Sequence, residues 1–180
     1  MIKSAAEKRK LLAQIAEKEG RLERLGNANK AGAEIEPYLG IFREAFNQID
    51  RTTKWSDPSI GFDWCCAFVY YCCLRAGFAF PVQPIPNRPT IGFVGLWREW
   101  ASLPENRFYY RAHCPGFEPQ PGDIVLFDRL LEPVALDHIG IVIGVRSNGL
   151  VTAEGNVYNR SGIFERSLNQ QINGYVRLEI

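Results

Sequence analysis

Apolar and polar positions along the first part of the chain follow a helical period. From Ser4 to about Leu25 the residues are mostly Lys, Glu, Arg, Ala and Leu, and Leu11, Ile15, Leu22 and Leu25 fall at roughly heptad spacing, which predicts an amphipathic helix. Its apolar stripe is thin, because Lys18 interrupts it and Gly20 weakens its middle. The expectation is a solvated helix lying loosely on the domain, with self-association or partner docking through residues 4–25 as the alternative. Gly26 to Gly32 then reads as a linker, separating an N-terminal segment, 1–30, from a domain spanning 31–180. A second helix starts near Glu36-Pro37, where a proline costs no hydrogen bond, and carries Tyr38, Ile41, Phe42, Ala45, Phe46 and Ile49. A third begins at Trp64-Cys65 and stops at Ala76-Gly77. A fourth, holding Phe93, Leu96, Trp97 and Trp100, is expected to be capped by Thr90 and ended by Leu103-Pro104.

After residue 120 the period changes from 3.6 to 2. Short β-branched runs between turn signals predict strands over 123–127, 138–145, 150–154, 162–166 and 175–178. Helices followed by an antiparallel sheet of about five strands indicate an α+β domain with its helices packed on one side, preceded by the N-terminal helical extension.

A 180-residue chain that is 46% hydrophobic and 12% aromatic can bury one core. With 21 basic and 20 acidic residues there is no overall field to recruit nucleic acid or an anionic membrane. Residues 1–30 hold eight basic and four acidic side chains, an asymmetry that marks a boundary more than a partner. The N-terminus lacks the apolar run of a secretory signal, and no stretch approaches the length of a membrane span. The expectation is therefore a protein cytoplasmic as synthesised, with no transmembrane segment, released if at all by a phage-type or dedicated secretion route. Five cysteines, four of them in adjacent pairs at 65/66 and 72/73, do not resemble a disulfide framework. Metal binding is disfavoured, since paired CxxC spacing is missing and His113 and His138 are the only histidines.

The chemistry concentrates in three segments. Cys65 sits in the first turn of an apolar helix, where free amides and the positive end of the dipole favour a thiolate. His138 opens a strand and can serve as the base. Alternation puts His138, Gly140 and Val142 on one face, so Gly140 is expected to leave room for the helix end and a substrate. Thr152, Glu154 and Asn156 share a face of the next strand, provided that strand continues through Gly155. Either Glu154 or Asn156 can then accept the second imidazole N–H and orient the base. Cys66, rotated about 100° around the helix, turns aside into packing, as do Cys72 and Cys73. His113 and Cys114 read as loop residues. Trp55, Trp64, Trp97, Trp100 and the proline-rich 81–89 segment are candidate groove walls, with core packing the stronger expectation for Trp97 and Trp100.

The run Trp64-Cys65-Cys66-Ala67-Phe68-Val69, then Pro119 to Phe127, then Asp137-His138-Ile139-Gly140, then Glu154-Gly155-Asn156 resembles the CHAP domain, the cysteine- and histidine-dependent amidohydrolase/peptidase group of the papain-like superfamily. The resemblance covers about residues 31–180. It implies a papain-like α+β fold, no metal or organic cofactor, and a thiol-dependent hydrolase that cleaves amide bonds in peptidoglycan, either between sugar and peptide or within the peptide. Position by position it implies Cys65 as nucleophile, His138 as base, Glu154 as orienting acid and Asn156 as the accompanying polar residue. Cys66 departs from the small residue usual there. Two other readings remain: a thiol peptidase, amidase or acyl-transfer enzyme acting inside the cell on another amide substrate, and a catalytically silent binding module.

Overall fold

The computed structural model describes residues 3–169 and 171–180, so the first two residues of the expected N-terminal segment lie outside the described residues. The helices are α1 (Ala5–Arg21), α2 (Glu36–Asp50), α3 (Cys65–Ala76) and α4 (Val94–Ala101), with a single 3-10 turn at Lys54–Ser56. The strands are β1 (Tyr109–Arg111), β2 (Ile124–Phe127), β3 (His138–Arg146), β4 (Gly149–Val157), β5 (Arg160–Ser167) and β6 (Ile172–Val176). They form one antiparallel sheet in the order β1-β6-β2-β3-β4-β5. Helices packed against this open sheet give the expected α+β architecture, with six strands where the sequence predicted about five. The sixth is β1, three residues too short to show a period, which forms because Tyr109 to Arg111 find backbone partners on β6.

Capping explains most of the boundaries. Ser4 and Glu7 form a reciprocal capping box at the start of α1, Pro37 lies in the first turn of α2, and Gly77 closes α3 at φ 93°. Thr90 does not cap α4 as expected. Its hydroxyl accepts from the Gly92 amide at 3.2 Å, the helix starts four residues later after Phe93, and no side chain caps it.

The packing of α1 corrects the expectation of a loosely held helix. Its buried face is Leu12, Ala13, Ala16, Glu19 and Gly20, one position off the stripe read from the leucines, and Leu22 and Leu25 are exposed. Small residues make a thin stripe sufficient. A methyl group on Gly20 would lie 2.6 Å from the Ile163 side chain, and one on Gly122 would collide with the Arg9 carbonyl. The helix backbone thus lies directly against the sheet and the loop before β2, in contact with α3, β3, β4 and β5. Glu19 is buried because it accepts from the Tyr38 hydroxyl at 2.7 Å.

The main core lies between the helices and one face of the sheet, built on Trp64, Phe68, Tyr38, Phe42, Trp97 and Ile141. Aromatic contacts link α2 to α3: Tyr38 stacks on Trp64 at 5.7 Å, and Phe42 meets Tyr70 edge-on at 5.4 Å. A smaller cluster on the other face includes Val125, Phe127, Val142 and Tyr175. Asp123, just ahead of β2, is buried and gripped by Arg177 Nε and Nη2 at 2.8 and 2.7 Å. No helix among the described residues is long and apolar enough to cross a membrane.

Candidate active site

Cys65 is the first residue of α3, where the amides of an α-helix have no intrahelical acceptor. Trp64 precedes it at φ −117°, ψ 16° and supplies no side-chain cap, so these donors stay available to an anion. Trp64 is locked by its stack on Tyr38 and by its indole N–H, which donates to Asn159 Oδ1 at 3.1 Å. Nine residues of α3 are buried, Phe68, Val69, Cys72 and Cys73 among them, and only the side carrying Leu74 and Arg75 is exposed, so Cys65 is held in place.

His138 begins β3 and is 1% exposed. Its Nε2 donates to Glu154 Oε2 at 2.9 Å, which leaves Nδ1 as the ring nitrogen free to serve Cys65 across the cleft. Of the two residues the sequence offered, Glu154 lies behind the imidazole and Asn156 does not. Parity fails at Asn156 because the β4–β5 ladder shifts register between Glu154 and Val157 and Asn156 adopts a left-handed φ of 63°. Its Nδ2 donates instead to Asp63 Oδ1 at 2.9 Å, which also pairs with Lys30. Asn156 therefore ties β4 to the segment leading into Cys65.

The glycines of the motif have definite neighbours. A methyl group on Gly140 would lie 2.6 Å from Glu154 Cγ, so the space beside His138 is occupied by the acid rather than by the helix end or a substrate. A methyl group on Gly155 would lie 2.5 Å from Phe68 Cβ and 2.8 Å from Trp64 Cζ3. This glycine lets α3 seat on β4.

The site is electrostatically polarised. The Cys66 thiol beside Cys65, followed by the His138 imidazolium, holds the Cys65 thiol down to about 5 against the opposing effect of burial. Burial would lower His138, but the Cys65 sulfur and the Glu154 carboxylate outweigh it and raise the imidazole to about 9. Glu154, buried yet paired with Arg166 and His138, is held down to about 2. These directions describe a thiolate–imidazolium pair at neutral pH. Cys66, fully buried, is pushed well up by burial and by the Cys65 sulfur, as Cys72 is by burial. Cys66 thus packs as expected, and it also acts on its neighbour.

Cys65 and His138 open onto a cleft of about 1040 Å³. Trp55, Phe46 and Phe62 form one apolar wall, packed edge to face at 4.8 to 6.0 Å. Phe93 and Tyr158, 58% and 90% exposed, stand at its rim. Of the candidate groove walls, Trp55 and Pro89 line this cleft, whereas Trp64, Trp97 and Trp100 are buried in the core. Asp137 also borders it and accepts from the amides of Leu130, Leu131 and Glu132, fixing the loop that leads to His138. Among the described residues no cluster of three or more His, Cys, Asp or Glu side chains is arranged to hold a metal ion.

Sequence reasoning missed Arg166 and placed Thr152 beside Glu154 without giving it a role. Arg166 donates to Glu154 through Nε at 2.9 Å and Nη2 at 2.6 Å, and the Thr152 hydroxyl donates to Glu154 Oε1. Thr152 was recoverable from its parity with Glu154. Arg166 was not, because its partner depends on how β5 pairs with β4.

The family model for the CHAP domain matches residues 57–156, more than half of the chain and all of the segments that bring Cys65, His138 and Glu154 together. No curated protein and no solved structure matches the chain.

Proposed function

The chain belongs to the CHAP domain family of amidohydrolases and peptidases, and on that premise we propose that it is a thiol-dependent hydrolase of amide bonds in peptidoglycan, with Cys65 as nucleophile, His138 as acid and base, and Glu154 as the orienting acid. The observation that carries this reading is Cys65 at a helix N-terminus sharing the cleft with His138, whose imidazole is held from behind by Glu154 at 2.9 Å. Asn156 contributes by holding Asp63 and the approach to Cys65.

The reaction follows from the protonation states. The Cys65 thiolate attacks the carbonyl carbon of the scissile amide, and the developing oxyanion is met by first-turn amides of α3, that of Cys65 among them. As the C–N bond breaks, His138 gives its proton to the leaving amine, and an acyl-thioester remains on Cys65. His138, now neutral, takes a proton from water; the hydroxide attacks the thioester carbonyl, the C–S bond breaks, and a carboxylic acid leaves. Throughout, the Glu154 carboxylate holds His138 Nε2 and stabilises each imidazolium that forms. The apolar wall of Trp55 and Phe62 suits the stacking of a sugar face or the packing of a peptide side chain.

The test is digestion of purified peptidoglycan with mass analysis of the soluble products. Whole peptides released with the amino terminus that had been joined to the sugar, beside glycan stripped of peptide, would identify an amidase; new amino termini within the peptides, with peptide remnants still on the glycan, would identify an endopeptidase. The Cys65→Ala protein should release neither. Wild-type protein giving the same blank as Cys65→Ala would remove peptidoglycan as the substrate.

A further inference from the structure

Glu154 is the most completely engaged polar side chain of the site, and two of its three partners, Arg166 and Thr152, are not used by the reaction scheme. Oε2 accepts from His138 Nε2 at 2.9 Å and from Arg166 Nη2 at 2.6 Å; Oε1 accepts from Arg166 Nε at 2.9 Å and from the Thr152 hydroxyl. A carboxylate offers about four acceptor positions, and all four are filled on a side chain with no exposure. One rotation of the carboxylate satisfies this set.

We propose that Arg166 is a positioning residue for the Cys65–His138 pair: its guanidinium fork sets the plane of the Glu154 carboxylate and moderates how tightly that carboxylate holds the imidazolium. The proposal rests on the reading of Cys65 and His138 as the reacting groups.

Arg166 is itself fixed. It lies on β5 opposite Leu150 of β4, its side chain is mostly buried, and its guanidinium sits 4.8 Å over the Phe164 ring and 6.0 Å from that of Phe127. Phe127, on β2, stacks on the His138 imidazole at 6.2 Å with an interplanar angle of 26°. One aromatic ring thus separates the two cations while one carboxylate joins them. A planar, bidentate group imposes an orientation that a point charge does not. The charged and titratable groups that bear on His138 are Cys65 from α3, Glu154 from β4 and, behind it, Arg166 from β5. β2 presents the Phe127 ring, and the adjacent Asp137 is turned to the amides of residues 130–132.

Removing the guanidinium takes away a cation from beside an ion pair, which favours the protonated imidazole. The pH at which His138 loses its proton should therefore rise. Iodoacetamide reports this without a natural substrate. The alkylation rate of Cys65, followed by mass analysis from pH 4 to 10, should climb in two steps, first as the thiol ionises and again as the imidazolium deprotonates. In Arg166→Met the second step should move up by about one pH unit. In Arg166→Lys, which keeps the charge and loses the fork, that step should stay in place while hydrolysis of peptidoglycan falls about tenfold.

A second step that coincides in wild type and Arg166→Met would overturn the proposal, as would an Arg166→Lys protein whose step moves as far as that of the Met variant. If Arg166→Met does not fold, Arg166→Gln takes its place as the neutral variant. A wild-type protein that lacks the low-pH step altogether would instead sink the assignment of the reacting pair, which separates the two failures.

Discussion

Replacing Gly155 by alanine puts a methyl group 2.5 Å from Phe68 Cβ, 2.8 Å from Trp64 Cζ3 and 2.9 Å from Phe68 Cγ. Ordinary contact begins near 3.4 Å, so α3 and β4 must separate by about 0.9 Å, and neither neighbour can rotate away. Phe68 meets Gly155 at its Cβ, next to the helix backbone, and Trp64 is fully buried and stacked on Tyr38. Gly155 does not have a positive φ, so steric overlap rather than backbone conformation decides the outcome. Overpacking of this kind costs about 1–3 kcal/mol, offset by about 0.4–1 kcal/mol from the stiffer unfolded chain. A net loss of about 1–2 kcal/mol should lower Tm by about 3–6 °C in a chain of this size. The larger effect falls on chemistry. Cys65 lies one turn from Phe68 on the same helix, so the displacement carries the sulfur away from His138, and a misplacement near 1 Å costs about a hundredfold in rate. Gly144→Ala is the control, because its methyl group meets Val151 at an ordinary 3.6 Å and should change neither property. Thermal melts measure the first effect, and Cys65 alkylation and peptidoglycan hydrolysis the second. A Gly155→Ala protein with wild-type Tm and rate, or a Gly144→Ala protein equally impaired, refutes the argument that this glycine sets the seat of the helix.

Further outcomes follow from the charges. Hydrolysis should be bell-shaped in pH, gained as Cys65 ionises near 5 and lost as His138 deprotonates near 9; at pH 6 Cys65 should alkylate about tenfold faster than a free thiol, its larger thiolate fraction being partly offset by weaker nucleophilicity, and a Cys66→Ala protein should show the acid limb displaced upward. Asp123→Asn leaves Arg177 facing a neutral partner at a buried position, so it should cost about 3 kcal/mol by urea unfolding, with an unchanged midpoint counting against the pair.

Much of the site was legible because its placement is local. The strand parity of β4 and the first-turn position on α3 bring Glu154 and Cys65 to His138, and both follow from periods that the chain displays openly. Asn156 defeated the same logic, because a bulge and a left-handed residue invert the alternation one step after Gly155. Arg166 could not be found, since its role depends on the pairing of Leu150 with Arg166 and no residue near it in the chain hints at a carboxylate. The buried face of α1 was misread because the leucines suggested the stripe, whereas alanines and glycine make the contact. Close backbone approach leaves almost no hydrophobic signal.

The strand order carries a consequence for the way the enzyme comes into being. β6 lies between β1 and β2, yet the ribosome has already delivered Cys65, His138, Glu154 and Arg166 when β6 is still unmade. Until it inserts, β1 has no partner, and β2 offers one open edge to solvent or to another nascent chain. The sheet is zipped from within by β6, so Cys65, His138, Glu154 and Arg166 gain a finished support only after all of them have been synthesised. Such long-range insertion is slow relative to local hairpins, which gives the growing polypeptide an interval in which the Cys65 thiol exists and its scaffold does not.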